Sequence, residues 1–154
     1  MDPMSTTPDR IRFAEPEERL ALEGLQRRSS LVWEEYREAL LAHPDAIEIP
    51  EELVQRVRVV SIAGRVVGFH LVLTPRDGAC EVDGLFVEPD QMRTGVGRLL
   101  VRDASERALE EGATALEVTA NPRALAFYEK VGFVAVGQVE TRFGPGIRMR
   151  LPLR

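Results

Sequence analysis

Val82-Asp83-Gly84-Leu85-Phe86-Val87, then Glu88-Pro89-Asp90-Gln91-Met92-Arg93-Thr94, then Gly95-Val96-Gly97-Arg98-Leu99-Leu100: the reading of this stretch decides the fold. Its first six residues have the character of a buried strand. Pro89 stops that strand because it brings no N–H to a ladder. Gly95 and Gly97 then open a helix, in which Val96, Leu100, Ala104 and Ala108 recur at every fourth position. A strand, a short glycine loop and a helix start aim backbone N–H groups at one point. The helix dipole adds positive potential there, and glycine lets an anion approach the backbone. The site suits a phosphate or pyrophosphate.

Spacing separates the loops that bind such groups. A Walker loop needs Lys-Ser/Thr after its last glycine, but Arg98-Leu99 follows Gly97. A dinucleotide fingerprint needs a third glycine, and Leu100 holds that place. The remaining candidate is the acetyl-CoA loop of the GCN5-related N-acetyltransferases (GNAT), Gln/Arg-x-x-Gly-x-Gly/Ala. Met92-Arg93-Thr94-Gly95-Val96-Gly97 resembles it, with Met92 where that family often has Gln or Arg. A second block, Asn121-Pro122-Arg123-Ala124-Leu125-Ala126-Phe127-Tyr128-Glu129-Lys130-Val131-Gly132-Phe133, is similar to the family's Asn-x-x-Ala-x-x-Phe-Tyr-x-x-x-Gly-Phe. Two motifs in this order are far more specific than either alone. The resemblance is clear from Arg65 to Phe133 and holds elsewhere in outline.

The 154 residues suit one domain, residues 9–154, behind a loose tail at residues 1–8. A net charge of −5 argues against a nucleic-acid surface. Cys80 is the only cysteine, so no internal disulfide can form and a cytoplasmic home is expected. No apolar run reaches the length of a membrane span, and Met1 to Pro8 lacks the apolar core of a signal peptide. A monomer and a homodimer both remain open.

In chain order, Ile11-Arg12-Phe13 reads as a short strand, and Glu15-Pro16-Glu17-Glu18 opens a helix with Leu20, Leu22 and Leu25 on its apolar side. Ser29-Ser30 are expected to cap a second helix carrying Trp33, Tyr36, Leu40 and Leu41. Ala42 to Pro50 reads as an irregular stretch, and Glu51 to Val54 as one helical turn. Val57 to Ile62 and Val66 to Thr74 form a hairpin about Ala63-Gly64-Arg65. Cys80 to Val87 is the fourth strand and Ala115 to Thr119 the fifth. Between them lies the helix from Gly95 to about Glu111, closed by Gly112. A short helix spans Pro122 to Val131. Phe133 to Val139 and Ile147 to Leu151 are the last strands, joined by the loop Arg142 to Gly146. The fold class is mixed α/β (α+β): a mostly antiparallel sheet of about seven strands with about four helices. The resemblance implies that strands four and five splay apart around the pantetheine arm.

The resemblance also implies an activity: transfer of an acetyl group from acetyl-CoA to an amine, a small molecule or a peptide, by direct attack in a ternary complex. No metal is called for. Backbone N–H groups of Arg93, Thr94, Gly95, Val96, Gly97 and Arg98 would bind the pyrophosphate. Leu85, Phe86 and Val87 would pair with the pantetheine amides, and the Val87 N–H would serve the oxyanion. Asn121 and Ala124 would contact CoA. Tyr128 holds the position of the acid that protonates the thiolate, and it also reads as a core tyrosine. Glu81, Asp83, Leu85 and Val87 share one strand face by period two, which makes Asp83 or Glu81 the candidate base. His70 is a lesser candidate. Trp33 and Tyr36, with the loops at His43 to Pro50 and Arg142 to Gly146, would wall the acceptor pocket; both aromatics also read as the apolar side of their helix. Two alternatives stay open: an acyl-CoA-binding sensor without catalysis, and an acyltransferase that uses another acyl-CoA or an oxygen acceptor.

Overall fold

Two tight turns set the register of the early strands. In the computed structural model, which describes residues 10–30, 42, 43, 47–141 and 143–153, Ala63 and Gly64 both hold positive φ, 52° and 80°. That two-residue turn matches the twist of an antiparallel hairpin. It joins β2 (Val57–Ile62) to β3 (Arg65–Val72), paired from Val57↔Leu71 to Ile62↔Arg65. Asp77 and Gly78 repeat the geometry at 52° and 82° and lead into β4 (Ala79–Val87). The remaining strands are β1 (Arg10–Phe13), β5 (Ala115–Ala120), β6 (Val134–Thr141) and β7 (Gly144–Pro152). The described α-helices are α1 (Arg19–Ser30), α2 (Val96–Glu110) and α3 (Leu125–Lys130). The strands bond in the order β1-β2-β3-β4-β5-β7-β6. No helix among the described residues is long and apolar enough to cross a membrane.

By packing, the chain falls into two compact units: Met1–Leu71 with Gly84–Leu100, and Val72–Asp83 with Val101–Arg154. The first holds β1, β2, β3, the end of β4 and the start of α2. Its apolar centre is Val60, Ile62, Val67, Val87, Val96 and Leu100, with Ile11, Leu85, Met92 and Leu99 packed around it. Gly68 is required there. A Cβ at this position would stand 2.9 Å from Val96 Cγ1 and 3.1 Å from the Phe86 carbonyl oxygen.

The second unit holds the start of β4, then β5, β7, β6 and α3. β4 and β5 run parallel through Ala79↔Ala115, Cys80↔Leu116 and Glu81↔Glu117, and their register ends there. β5 continues to Ala120 against β7 alone, the splay that the resemblance implies. Along β5, Leu116, Val118 and Ala120 are buried and Glu117 and Thr119 face outward. The period of α2 holds through both units, with Val96, Leu100, Ala104 and Ala108 all buried.

Several expectations need correction. Leu22 and Leu25 of α1 are buried, but Leu20 is 71% exposed. At 100° per residue Leu20 stands about 200° round the helix from Leu22, so the three cannot share one side. Ser29 and Ser30 are themselves helical, in the last described turn of α1, and the second helix expected after them lies outside the described residues. Residues 48–50 are irregular, as the stretch was read, but Ile47 and Ile49 are buried. The Ile49 N–H donates to Glu23 Oε2 at 2.7 Å. β7 already starts at Gly144, inside the loop expected at Arg142 to Gly146, and pairs Gly144↔Thr141. Trp33, Tyr36, Leu40, Leu41 and the residue 1–8 tail lie outside the described residues.

Candidate active site

The glycine turn belongs to the first unit. β4 ends at Val87, and Pro89–Gln91 make one 3-10 turn. Arg93 (φ 66°) and Gly95 (φ 94°) then swing the backbone round to the start of α2. Nothing lies within 4 Å of a Cβ built on Gly95, so its carbon side is open to a ligand. The Leu99 N–H donates to the Gly95 carbonyl at 3.0 Å as the first bond of the helical ladder. The N–H groups of Val96, Gly97 and Arg98 precede it and have no helical acceptor. Among the described residues no turn bond uses the N–H of Arg93, Thr94 or Gly95. Met92 packs against the apolar cluster beneath the loop, so the residue that departs from the family pattern anchors the turn from inside.

Two ion pairs brace the approach to this turn, and neither was visible from spacing. Arg28 of α1 binds the buried Glu88 in a fork, Nε to Oε1 at 2.9 Å and Nη2 to Oε2 at 2.6 Å. Arg65 holds Asp90 at 3.0 and 3.3 Å. A recess of about 340 Å³ lies beside them, lined by Leu22, Leu25, Arg28, Arg65 and Glu88. Its remaining acid, Glu18, is paired with Arg12 at 2.8 Å.

β4 itself carries an irregularity that alternation did not reveal. The Leu73 N–H bonds the Glu81 carbonyl at 2.9 Å, and the Glu88 N–H bonds the Val67 carbonyl at 2.8 Å. Seven residue steps on β4 therefore match six on β3, so β4 holds one extra residue between Glu81 and Glu88. A one-residue slip sends side chains to the opposite face. Glu81 and Asp83 point away from the buried Cys80 and Val82, whereas Leu85 and Val87 join the apolar cluster. The four do not share the single face expected of them. The slip also sorts the backbone. Since Glu88 bonds to β3, so does the alternate position Phe86, whose carbonyl lies against Gly68 and whose ring packs on Phe69 at 5.4 Å. Phe86 thus does not offer its amide outward as expected, while Leu85 and Val87 direct their N–H and C=O groups to the opposite edge of β4.

The second unit carries the titratable groups. Both Glu81 oxygens are held by Arg148 of β7, at 2.8 Å to Nη1 and 3.0 Å to Nη2. Arg148 reaches across β5 to do so, also donating to Thr119 Oγ1 at 2.8 Å and Glu117 at 3.4 Å. Arg150 completes the row on Glu117 at 2.8 Å. These contacts hold the Arg148 guanidinium charged, Glu81 foremost, although burial opposes them. Asp83 makes no ion pair among the described residues. Burial pushes its carboxyl above the usual range, and the like charge of Glu81 adds to the rise. Tyr128 is buried edge-on between Phe127 and Phe133, at 5.1 and 5.2 Å, and burial pushes its phenol up to about 12. Asn121 caps the turn Pro122–Ala124 by accepting from the Ala124 N–H at 3.0 Å, which commits its oxygen and leaves its amide N–H groups to reach a ligand. His70 is a buried residue of β3. Trp33 and Tyr36 lie outside the described residues.

The acetyltransferase (GNAT) domain family matches residues 38–151, and the chain belongs to that family. Over 59 residues it is 42% identical to the peptidyl-lysine N-acetyltransferase YjaB of Escherichia coli K12, a match covering 38% of this chain and 39% of that protein. Its fold is similar to that of PaiA N-acetyltransferase from Thermoplasma acidophilum in complex with coenzyme A (TM-score 0.75, 18% identity, 93% of this chain and 98% of that one). It is also similar to that of Ard1 from Thermoplasma volcanium (TM-score 0.72, 19% identity, 94% and 97%).

Proposed function

We propose that this chain, acting as one catalytic domain in the cytoplasm, moves the acetyl group of acetyl-CoA to a primary amine, with a lysine side chain on a peptide as the acceptor class. The observation that carries the reading is the unsatisfied run of amides from Arg93 to Arg98 at an open Gly95. It suits a pyrophosphate, and the free edge of Leu85 and Val87 on the same strand suits an extended amide arm. The acceptor class is supported by the peptidyl-lysine relative and by a sheet face that sets three carboxylates, Glu81, Asp83 and Glu117, against two guanidiniums, Arg148 and Arg150. One net negative charge fits one ammonium.

The ammonium gives a proton to Asp83, and the neutral nitrogen attacks the thioester carbon. The Val87 N–H meets the developing oxyanion. The C–S bond breaks, and the second nitrogen proton ends on sulfur. Tyr128, with a pKa of about 12, stays protonated and steadies the departing thiolate as a hydrogen-bond donor. The experiment is thiol release from acetyl-CoA over a panel of lysine peptides, polyamines and aminoglycosides. Release with lysine peptides supports the reading. Release with alcohols alone, or tight CoA binding with no turnover on any acceptor, overturns it.

A further inference from the structure

We infer that Arg148 sorts the two carboxylates of β4, taking Glu81 out of the proton transfer and leaving Asp83 as its acceptor. The inference rests on the acetyl-transfer reading above and deepens it. Glu81 and Asp83 lie two residues apart on one side of β4, and sequence alone gives no reason to choose between them. The structure does. Arg148 stands on β7, opposite Thr119 of β5, and spans that strand to close a fork on both Glu81 oxygens. A carboxylate so held has both oxygens committed to the guanidinium.

Asp83 is in the opposite state. It has no cation within ion-pair distance among the described residues, and its proton affinity is raised, which is what a base facing an ammonium requires. The other charged groups on this face are Glu117 and Arg150, which hold each other at 2.8 Å. Arg148 is thus a positioning residue. It touches no substrate, and it acts by fixing which of two neighbouring acids stays available.

The two partners of the fork should move Asp83 in opposite directions. Glu81→Gln removes a negative charge and leaves Arg148 in place, so the Asp83 midpoint falls. Arg148→Met uncovers Glu81, so the midpoint rises. Charges about 7 Å apart, the reach of two strand residues, interact even at the dielectric of water strongly enough for a shift of roughly 0.4 pH unit. Titration of the side-chain carboxyls by carbon NMR, on the whole chain at low ionic strength, reads these shifts without any need for turnover. Opposite shifts of at least that size, with the acid limb of kcat/KM for a lysine peptide following them, are the expected result. Arg148→Lys should restore the wild-type midpoint in part. An unmoved midpoint in both variants, or shifts of the same sign, overturns the inference. So does an active Asp83→Asn beside an inactive Glu81→Gln. If Arg148→Met does not fold, Glu81→Gln carries the test alone, since Gln still accepts from Arg148. Opposite shifts in a protein that acetylates nothing would sink the acetyl-transfer reading and leave the sorting intact.

Discussion

Gly68→Ala tests how closely the glycine turn depends on the strand beneath it. The added methyl would sit 2.9 Å from Val96 Cγ1, 3.1 Å from the Phe86 carbonyl oxygen and 3.2 Å from Leu100 Cδ1. Ordinary carbon contacts fall near 3.5–4.0 Å, so roughly half an ångström or more must be found on the Val96 side. Val96 is short and buried, and the Phe86 oxygen is backbone, so neither can swing aside. Overpacking of this kind costs about 1–3 kcal/mol, while replacing glycine by alanine inside a strand otherwise gains about 0.5–1 kcal/mol. The net expectation is a loss of about 0.5–2 kcal/mol, or about 1–8 °C in Tm for a chain of this length. Relief comes most easily by lifting the first turn of α2, so CoA affinity should fall several-fold as well. Thermal melts and calorimetric CoA titration of the same preparation decide it. A variant that melts at or above the wild type with unchanged CoA affinity refutes the close packing and the link from β3 to the turn.

Gly97→Asp puts a carboxylate against the expected pyrophosphate and should weaken CoA binding by up to several kcal/mol, the scale of close like charges; unchanged calorimetric affinity would remove the turn from the argument. Arg93→Gly relieves a left-handed residue worth roughly 1–2 kcal/mol and should melt no lower than the wild type. It should leave CoA affinity within a few-fold if the contact is through backbone, and a tenfold loss would assign the binding to the Arg93 side chain. Tyr128→Phe should lower kcat more than it raises KM for acetyl-CoA, by no more than the low end of the roughly 10²–10⁴-fold range of acid–base groups; equal kcat on a substrate with rate-limiting chemistry makes Tyr128 a packing residue. The same variant has a stability signature. A phenol raised from 10.0 to about 12 contributes stability in full below pH 10 and loses it as pH rises through 12. At pH 11 the wild type should therefore have lost about 1.4 kcal/mol that Tyr128→Phe keeps, and parallel alkaline denaturation curves would contradict the buried phenol. Asp83→Asn should abolish turnover and raise stability at neutral pH, because a carboxyl raised by the fold is a net cost above its folded pKa, relieved as pH falls; a less stable Asp83→Asn overturns that sign.

The glycine turn, the α2 period and the hairpins could be read from the sequence because each is local. Gly95 and Gly97 mark a backbone need that few other residues meet, and Val96, Leu100, Ala104 and Ala108 repeat within one helix. The extra residue in β4 left no such mark. A bulge is defined by a count against the partner strand, here Leu73 and Val67 against Glu81 and Glu88, and no residue type in Val82 to Val87 announces it. Extrapolating period two across it put Leu85 and Val87 on the same face as Glu81 and Asp83. The Glu81–Arg148 and Arg28–Glu88 pairs were hidden for the same reason, since 67 and 60 residues separate their partners.

β6 has one more consequence, for how this protein survives at high concentration. It is last in the strand order, every one of its residues is exposed, and it presents Val134, Val136 and Val139 to water. A long flat edge of that composition is a template on which chains stack into aggregates. Between Ala135↔Met149 and Gly137↔Arg148, however, Val136 has no partner on β7. The unpaired residue kinks the edge and strengthens its twist, so a second edge cannot lie along it in continuous register. The safeguard against clumping is one valine without a place in the ladder.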